Sequence, residues 1–408
     1  MVEAPQRFEI SVSDSVLDDL KERLEKARYP DELEGVDWEY GTPVKYLKEY
    51  VAFWQHHNWK EVENKLNQLP QFKLTVNGLE HHHIHKRSFR ANAIPLILIH
   101  GWPGSFYEFA KIANQLAEPE GDQQAFHVVV PSLPGYGFSE KPKKRGYGVA
   151  EMAKGLNELM VKLGYKKYFA HGGDWGTIIA HTLASCYPSE CVAIHITCIL
   201  FPPPPLWSFP LAHLKFLMST IFGAERTYGH EEAKRLERFQ TLMNTEMGYF
   251  HAQTTKPQTL AYGLNDSPIG LLAWILEKYH TWTDRATFDL SSDEAKEAIV
   301  TTAMLYWVTE TIPSSMRIYK EFRDQNMTTA TISDGAMTLS SKVPTGIAFF
   351  PCDFPPCPKE WAECYTNIQR WKKYDKGGHF PGLECPDVLT NELREYFGLP
   401  VIKKAFSA

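Results

Sequence analysis

"FAHGGDWGTII", residues 169–179, runs from an apolar strand-like stretch through a glycine-bracketed turn into the start of an apolar helix. Gly172 and Gly176 flank a central Asp174. Glycines in those places let the backbone pack tightly around a strained tip, which is the build of a nucleophile elbow. Such an elbow ordinarily carries serine at its tip, in the pattern G-x-S-x-G. Here the tip is a carboxylate, and the surrounding sequence has to explain why.

Outward from the elbow, short and nearly all-apolar runs alternate with helical stretches. Strands are expected at 94–99, 127–130, 168–170, 191–198, 345–350 and 370–374, and helices at 147–163, 176–186 and 386–397. Apolar strands of this kind suit an α/β fold with a mostly parallel central sheet covered by helices on both faces. The rhythm breaks at "LFPPPPLWSFP", where four prolines can continue neither strand nor helix. From 201 to 325 the chain reads as helices rich in Trp, Tyr, Phe and Met, an inserted helical cap over one end of the sheet. Residues 91–200 and 326–408 are then the two parts of the core. Residues 1–90 form a leading segment packing on the core, with helices at 14–27 and 43–68 ahead of the alternating "FKLTVNGLEHHHIHKRS".

That last stretch invites a metal reading. On a strand, His81, His83 and His85 share one face and His82 points to the other. No cysteine or acidic ligand stands at zinc spacing, so they read as strand histidines and no metal is expected. The 408-residue chain has a formal charge of −6, which excludes the electrostatic footprint of a nucleic-acid binder. Its one basic run, residues 141–145, reads as a solvated connection. No stretch is apolar enough to cross a bilayer, and residues 1–30 carry neither signal peptide nor anchor. The seven cysteines, odd in number and all from Cys186 onward, suit free thiols in a reducing, cytoplasmic setting. Cys352 and Cys357 have no second close pair to complete a zinc site.

In a parallel sheet, ligands gather beyond the carboxyl ends of the strands. Three polar groups are expected there: Asp174, then Asp353 after "IAFFPC", then His379 in "KKYDKGGHF". Nucleophile, acid and histidine in this order match the triad of the α/β-hydrolase fold. Asp375, a short loop before His379, ranks second as the acid. An aspartate at the tip changes the chemistry. Serine attacking saturated carbon would end as an ether, whereas a carboxylate forms an ester whose carbonyl belongs to the protein and yields to water. The histidine is then free to activate that water. Backbone N–H groups of Trp102, in "HGWPGSFYEF", and Trp175 are the expected oxyanion donors, with Pro103 expected cis. Taken alone, residues 100–103 would read as an ordinary tight turn.

"HGWPGSFYEF", "PSLPGYGFSE", "GGDWG", "TTKPQTLAYGLNDSPIGLLAWILEKYHTWT", "SSMRIYKE" and "PTGIAFFPCD…GGHF" together resemble an epoxide hydrolase of the microsomal type, from the leading segment nearly to the C-terminus. The resemblance implies Asp174 as nucleophile, Asp353 as the acid orienting His379, and His379 as the base. It also implies two tyrosines that donate hydrogen bonds to the epoxide oxygen, Tyr249 in "MGYFHAQTTKP" and Tyr319 in "SSMRIYKE". Substrate and water would be the only small-molecule partners, with no cofactor. Tyr262, Tyr279 and Tyr306 read as ordinary core or surface residues. Two departures stand out. The family's anchored members begin with a membrane-spanning helix, and mammalian relatives often carry glutamate at the position of Asp353. The aromatic residues Trp207, Phe222, Phe250, Trp274, Trp282 and Trp307 suggest a lipophilic substrate, with Phe250, Trp282 and Trp307 placed against it. A homodimer is left open. The alternatives are a haloalkane dehalogenase, which would need halide-binding N–H donors rather than two phenols, and a catalytically silent binding protein on the same fold.

Overall fold

The computed structural model describes residues 4–198, 201–328 and 340–407. Its nine strands are β1 (Gln6–Phe8), β2 (Gln71–Val76), β3 (Leu79–Lys86), β4 (Ile94–Ile99), β5 (Phe126–Pro131), β6 (Tyr168–Gly172), β7 (Cys191–Ile196), β8 (Ser341–Phe349) and β9 (Thr366–Lys373). They form one sheet in the order β1-β2-β3-β5-β4-β6-β7-β8-β9. From β5 to β9 every pairing is parallel, and β1, β2 and β3 extend the sheet antiparallel. Every residue of β4, β6 and β7 is buried, because helices cover both faces. A strand with two buried faces is apolar nearly throughout, which is why these three are so plain in the sequence; the exceptions His171 and His195 are buried and face each other, Nδ1 to Nδ1, at 3.1 Å.

The leading segment supplies the antiparallel edge. Asn77 and Gly78 both adopt positive φ, 48° and 76°, the handedness that matches a two-residue hairpin to the twist of β2 and β3. The histidines of β3 are absorbed by packing and hydrogen bonding. His82 pairs with Ser132 Oγ at 2.8 Å and Gln71 Oε1 at 2.9 Å, and His85 with Tyr165 Oη at 2.7 Å. Burial pushes His81 down to about 4 and His83 to about 3, so both are neutral core groups.

Two of the differences from the expected boundaries have a local cause. The helix expected over 43–68 is two, Val44–His56 and Trp59–Asn67, because Asn58 leaves helical geometry and its side chain bonds Glu61 at 2.8 Å. The break allows Trp54 and Trp59 both to face the core, each 3% exposed. Strand β9 begins at Thr366, well before position 370. It is an edge strand with alternating exposed polar residues, so its first half has no apolar signature.

Between β7 and β8 the chain is helical, from Pro210–Phe222 to Arg317–Thr328. Among the described residues, no helix is long and apolar enough to cross a membrane. The carboxyl ends of β4, β6, β7, β8 and β9 converge at one end of the sheet. The turns that follow them carry Trp102, Asp174, Cys198, Asp353 and His379.

Candidate active site

Asp174 sits at the tip of the turn between β6 and the helix Trp175–Cys186, at φ 53° and ψ −125°. A side chain held at positive φ is strained, and it persists only where its surroundings over-determine it. Here the surroundings are backbone. A Cβ on Gly172 would lie 2.0 Å from Gly176 O, and one on Gly176 would lie 2.0 Å from Ile99 O. A Cβ on Gly101 would lie 2.2 Å from Asp174 Oδ1, so the seat of the Asp174 carboxylate requires glycine too.

The Trp102 N–H donates to Asp174 Oδ1 at 2.8 Å, from a loop in which the Trp102–Pro103 bond is cis. Burial raises the Asp174 pKa, opposed by the charge of His379 and by the N–H groups of Trp102 and Trp175. Burial thus reverses what a helix N-terminus alone would do, and the fixed donors limit the rise. The Asp174 side chain keeps 18% of its surface open, against 2% for His379.

His379 Nε2 lies 3.6 Å from Asp174 Oδ2, and its Nδ1 lies 2.6 Å from Asp353 Oδ1. Asp353 Oδ1 also accepts the Phe354 N–H at 2.7 Å. Burial disfavours the imidazolium, but the charges of Asp353, Asp174 and Glu108 outweigh it and push His379 up to about 9. Asp375 is exposed on its loop and has no part in this pairing.

The histidine loop is clamped to the helical stretch above it. His379 N–H donates to Trp282 O at 2.8 Å, and Gly377 N–H to Asp284 Oδ2 at 2.9 Å. Glu384 accepts both the Phe380 and Asp284 N–H groups at 2.8 Å. The imidazole is therefore oriented from two elements that the sequence separates by about a hundred residues.

A cavity of about 260 Å³ opens over Asp174. Tyr249 and Tyr319 line it, with Trp175, Cys198, Phe250, Phe322 and Phe354 among the other walls. The Tyr249 ring stacks on Trp102 at 5.3 Å, and Tyr319 meets Trp175 edge-on at 4.7 Å. Burial first, then neighbouring groups including Asp174, raise both phenols well above their ordinary value, so each keeps its proton. The Tyr319 hydroxyl is buried and makes no aligned hydrogen bond to a protein group.

Trp282 stands behind this wall, 4.9 Å from the His379 ring and 5.3 Å from Tyr249. Trp307 does not border the cavity. It packs instead toward the leading segment, with the Arg23 guanidinium 5.8 Å over its ring. Its helix, Asp293–Thr309, is buried on nearly every side, so sequence pattern could not say which way any one aromatic faces. Trp207 and Phe222 are 66% and 56% exposed, outside the site. Tyr262 is exposed, Tyr279 pairs with Thr302, and Tyr306 donates to Gly104 O at 2.8 Å.

Sequence reading missed three neighbours. Lys278 is buried with its ammonium 4.5 Å over the Tyr249 ring and 2.6 Å from Glu277 Oε1. A lone lysine in an apolar helix was the available signal. Glu108 is buried close enough to Asp174 and His379 to feel their charges, and burial pushes it up to about 8. Cys198 lies at φ 53° after β7, on the cavity wall.

Known proteins resemble this chain over nearly its whole length. The sequence pattern described as "Epoxide hydrolase N terminus" matches residues 5–109, and that of the "alpha/beta hydrolase fold" matches residues 94–337. Epoxide hydrolase 1 of Sus scrofa is 36% identical, over 97% of this chain and 89% of its own. Juvenile hormone epoxide hydrolase 1 of Ctenocephalides felis is 34% identical, over 95% of this chain and 84% of its own. Among solved structures, the juvenile hormone epoxide hydrolase of Bombyx mori superposes with a TM-score of 0.85 at 31% identity, over 97% of this chain and 94% of that one. The epoxide hydrolase of Aspergillus niger gives 0.82 at 31% identity, over 97% of both chains. The chain belongs to the epoxide hydrolases and is built on the α/β-hydrolase fold.

Proposed function

We propose that this epoxide hydrolase converts lipophilic epoxides to vicinal diols through a covalent ester on Asp174. An Asp174 oxygen attacks an epoxide carbon, and the ring C–O bond breaks with its electrons going to oxygen. Tyr249 and Tyr319 donate hydrogen bonds to that oxygen, and one of them passes it a proton. His379 then takes a proton from water, and the resulting hydroxide adds to the ester carbonyl of Asp174. The N–H groups of Trp102 and Trp175 hold the oxyanion, as such donors do in acyl transfer. Collapse frees the diol and restores the carboxylate, while the imidazolium proton returns to the phenolate.

Asp353 keeps the imidazole in the tautomer whose Nε2 faces Asp174, and its charge stabilises the imidazolium. Residues 201–325 serve in this reading as the cap that carries the phenols over the core parts 91–200 and 326–408, with 1–90 packed on the core. Phe250 and Trp282 shape the apolar side of the site. The observation that carries the proposal is one arrangement: a carboxylate fixed by a backbone N–H, an imidazole 3.6 Å away, and two protonated phenols on the same cavity wall. Neither a dehalogenase nor a silent binding protein is favoured by the relatives. A cytoplasmic location is in keeping with the seven free cysteines, and light scattering would test for a homodimer.

The test is a single turnover of styrene oxide, with protein in excess, in water enriched in heavy oxygen. The first diol should carry unlabelled oxygen from Asp174, with label entering the protein instead. Label in the first diol would mean direct attack by water, and the ester route would be wrong.

A further inference from the structure

Resting on the epoxide-hydrolysing reading above, we propose that His181 forms a hydrogen-bonding subsite at the far end of the cavity, and that it selects epoxides carrying a hydroxyl group remote from the ring. The helix Trp175–Cys186 begins beside Asp174 and forms one wall of the cavity, where Asp174, Thr177, Ile178 and His181 all line it. Spacings of three, four and seven residues put these side chains on one helical face. Seven residues are two turns, about 10 Å of rise. His181 therefore stands two turns along the same face from Asp174, and helical side chains lean toward the N-terminus, here back toward Asp174.

Among the described residues of the cavity wall, three side-chain polar atoms are buried without an aligned hydrogen-bond partner: Trp175 Nε1, Tyr319 Oη and His181 Nδ1. Trp175 follows Asp174 in the chain and meets Tyr319 edge-on, so the first two belong to the reacting end. His181 stands apart from them and is 1% exposed. Its other nitrogen fixes the tautomer. Nε2 lies 3.1 Å from the Tyr365 carbonyl oxygen, which can only accept, so Nε2 carries the proton. Burial keeps the ring neutral, pushing its pKa down to about 4. Nδ1 is then a bare lone pair that accepts and cannot donate.

Nothing else on this wall competes for the role. Thr177, the polar neighbour on the same face, spends its hydroxyl on Gly172 O and Thr197 O. Phe201 packs edge-on against the His181 ring at 5.1 Å, and Ile178, Phe239 and Met243 add only apolar surface. A buried acceptor left unpaired costs free energy, and a plain alkyl chain filling the cavity leaves it unpaired. A hydroxyl of the right reach satisfies it. Such a site discriminates more sharply than shape alone, because the analogue lacking the hydroxyl strands the protein's own polar atom. The preferred substrate is thus an epoxide and a hydroxyl joined by an apolar chain that spans the two turns.

The experiment measures kcat/KM for terminal epoxides of six, eight and ten carbons, each with and without a hydroxyl on the far carbon. It compares the full wild-type chain with His181→Phe, which keeps a flat ring and removes the acceptor. The ratio of hydroxylated to plain substrate is taken within each protein, so a change in overall rate does not enter. At one chain length the wild-type ratio should exceed that of His181→Phe by about fivefold or more, the net worth of a hydrogen bond. Calorimetry of product binding gives a readout without turnover: octanetriol should bind the wild type about fivefold or more tighter than octanediol, a difference that His181→Phe loses. With wild type alone, nitrogen-15 NMR of ring-labelled histidine should show an unprotonated nitrogen that moves with the triol and not with the diol. Turnover of the plain epoxides with equal ratios in both proteins, or the lack of any such resonance, would overturn the subsite and leave the epoxide reading standing. Absence of turnover on every epoxide would overturn that reading, and product binding would then decide the subsite by itself.

Discussion

His379 should shed its proton, and so become available as a base, at the moment it is needed, and the pH dependence of the two half-reactions measures this. In the free protein it stands 2.6 Å from Asp353 and 3.6 Å from Asp174, and is pushed up to about 9. Forming the ester turns the Asp174 carboxylate into a neutral group. A unit charge at that distance is worth on the order of 4 kcal/mol at an effective dielectric constant of about 20. Suppose half is lost to water and rearrangement in the cavity. About 2 kcal/mol remains, more than a tenfold weakening of the imidazolium, since each factor of ten in protonation is about 1.4 kcal/mol. His379 then falls from about 9 toward neutrality while Asp353 still orients it. Stopped-flow tryptophan fluorescence separates the steps, because the N–H groups of Trp102 and Trp175 both bond to Asp174. Ester formation should weaken at low pH as Asp174 takes a proton. The hydrolysis rate constant should climb with pH and reach half its maximum clearly below 9. A hydrolysis limb that is flat, or half-maximal at 9 or above, would show that the Asp174 charge does not govern the base.

Other expectations follow from the same geometry. Tyr249→Phe and Tyr319→Phe should each slow ester formation by about tenfold or more, the worth of a hydrogen bond to a developing charge. The double variant should be slower than either, and an unchanged rate there would clear both phenols. Gly101→Ala places a methyl group where Asp174 Oδ1 sits. It should cut ester formation by about a hundredfold with circular dichroism unchanged, since misplacing a reacting atom by 1 Å costs that much. Retained activity would show that the loop yields. Glu108 is pushed up to about 8 from an ordinary 4.5, so the folded state holds a proton that the unfolded chain releases above 4.5. Its contribution to stability is therefore present at low pH and declines as pH rises from 4.5 to 8. Glu108→Gln should raise the melting temperature at pH 8 and have little effect near pH 4.5. An equal gain at both would mean that burial of the charge is not the cause.

Much of this protein could be read from its chain alone. Strands with two buried faces have to be nearly all apolar, so β4, β6 and β7 announced a covered parallel sheet. A turn too crowded for any Cβ has to be glycine, so Gly172 and Gly176 marked Asp174 as its tip. Chain order placed Asp353 and His379 after later strands, where ligands collect. The rest depended on elements brought together across the sequence. Which of Asp353 and Asp375 meets the imidazole turns on a 2.6 Å contact between two loops. Trp282 and Trp307 are both aromatic residues in apolar helices, yet one lies behind His379 and the other under Arg23. A helix buried on all sides has no periodic stripe to betray its facing. The ammonium of Lys278 over Tyr249, the carboxyl of Glu108 near His379 and the thiol of Cys198 beside Asp353 have the same origin. Local sequence sets what each backbone segment does, whereas desolvation and charge act through space between segments that only the closed fold makes neighbours.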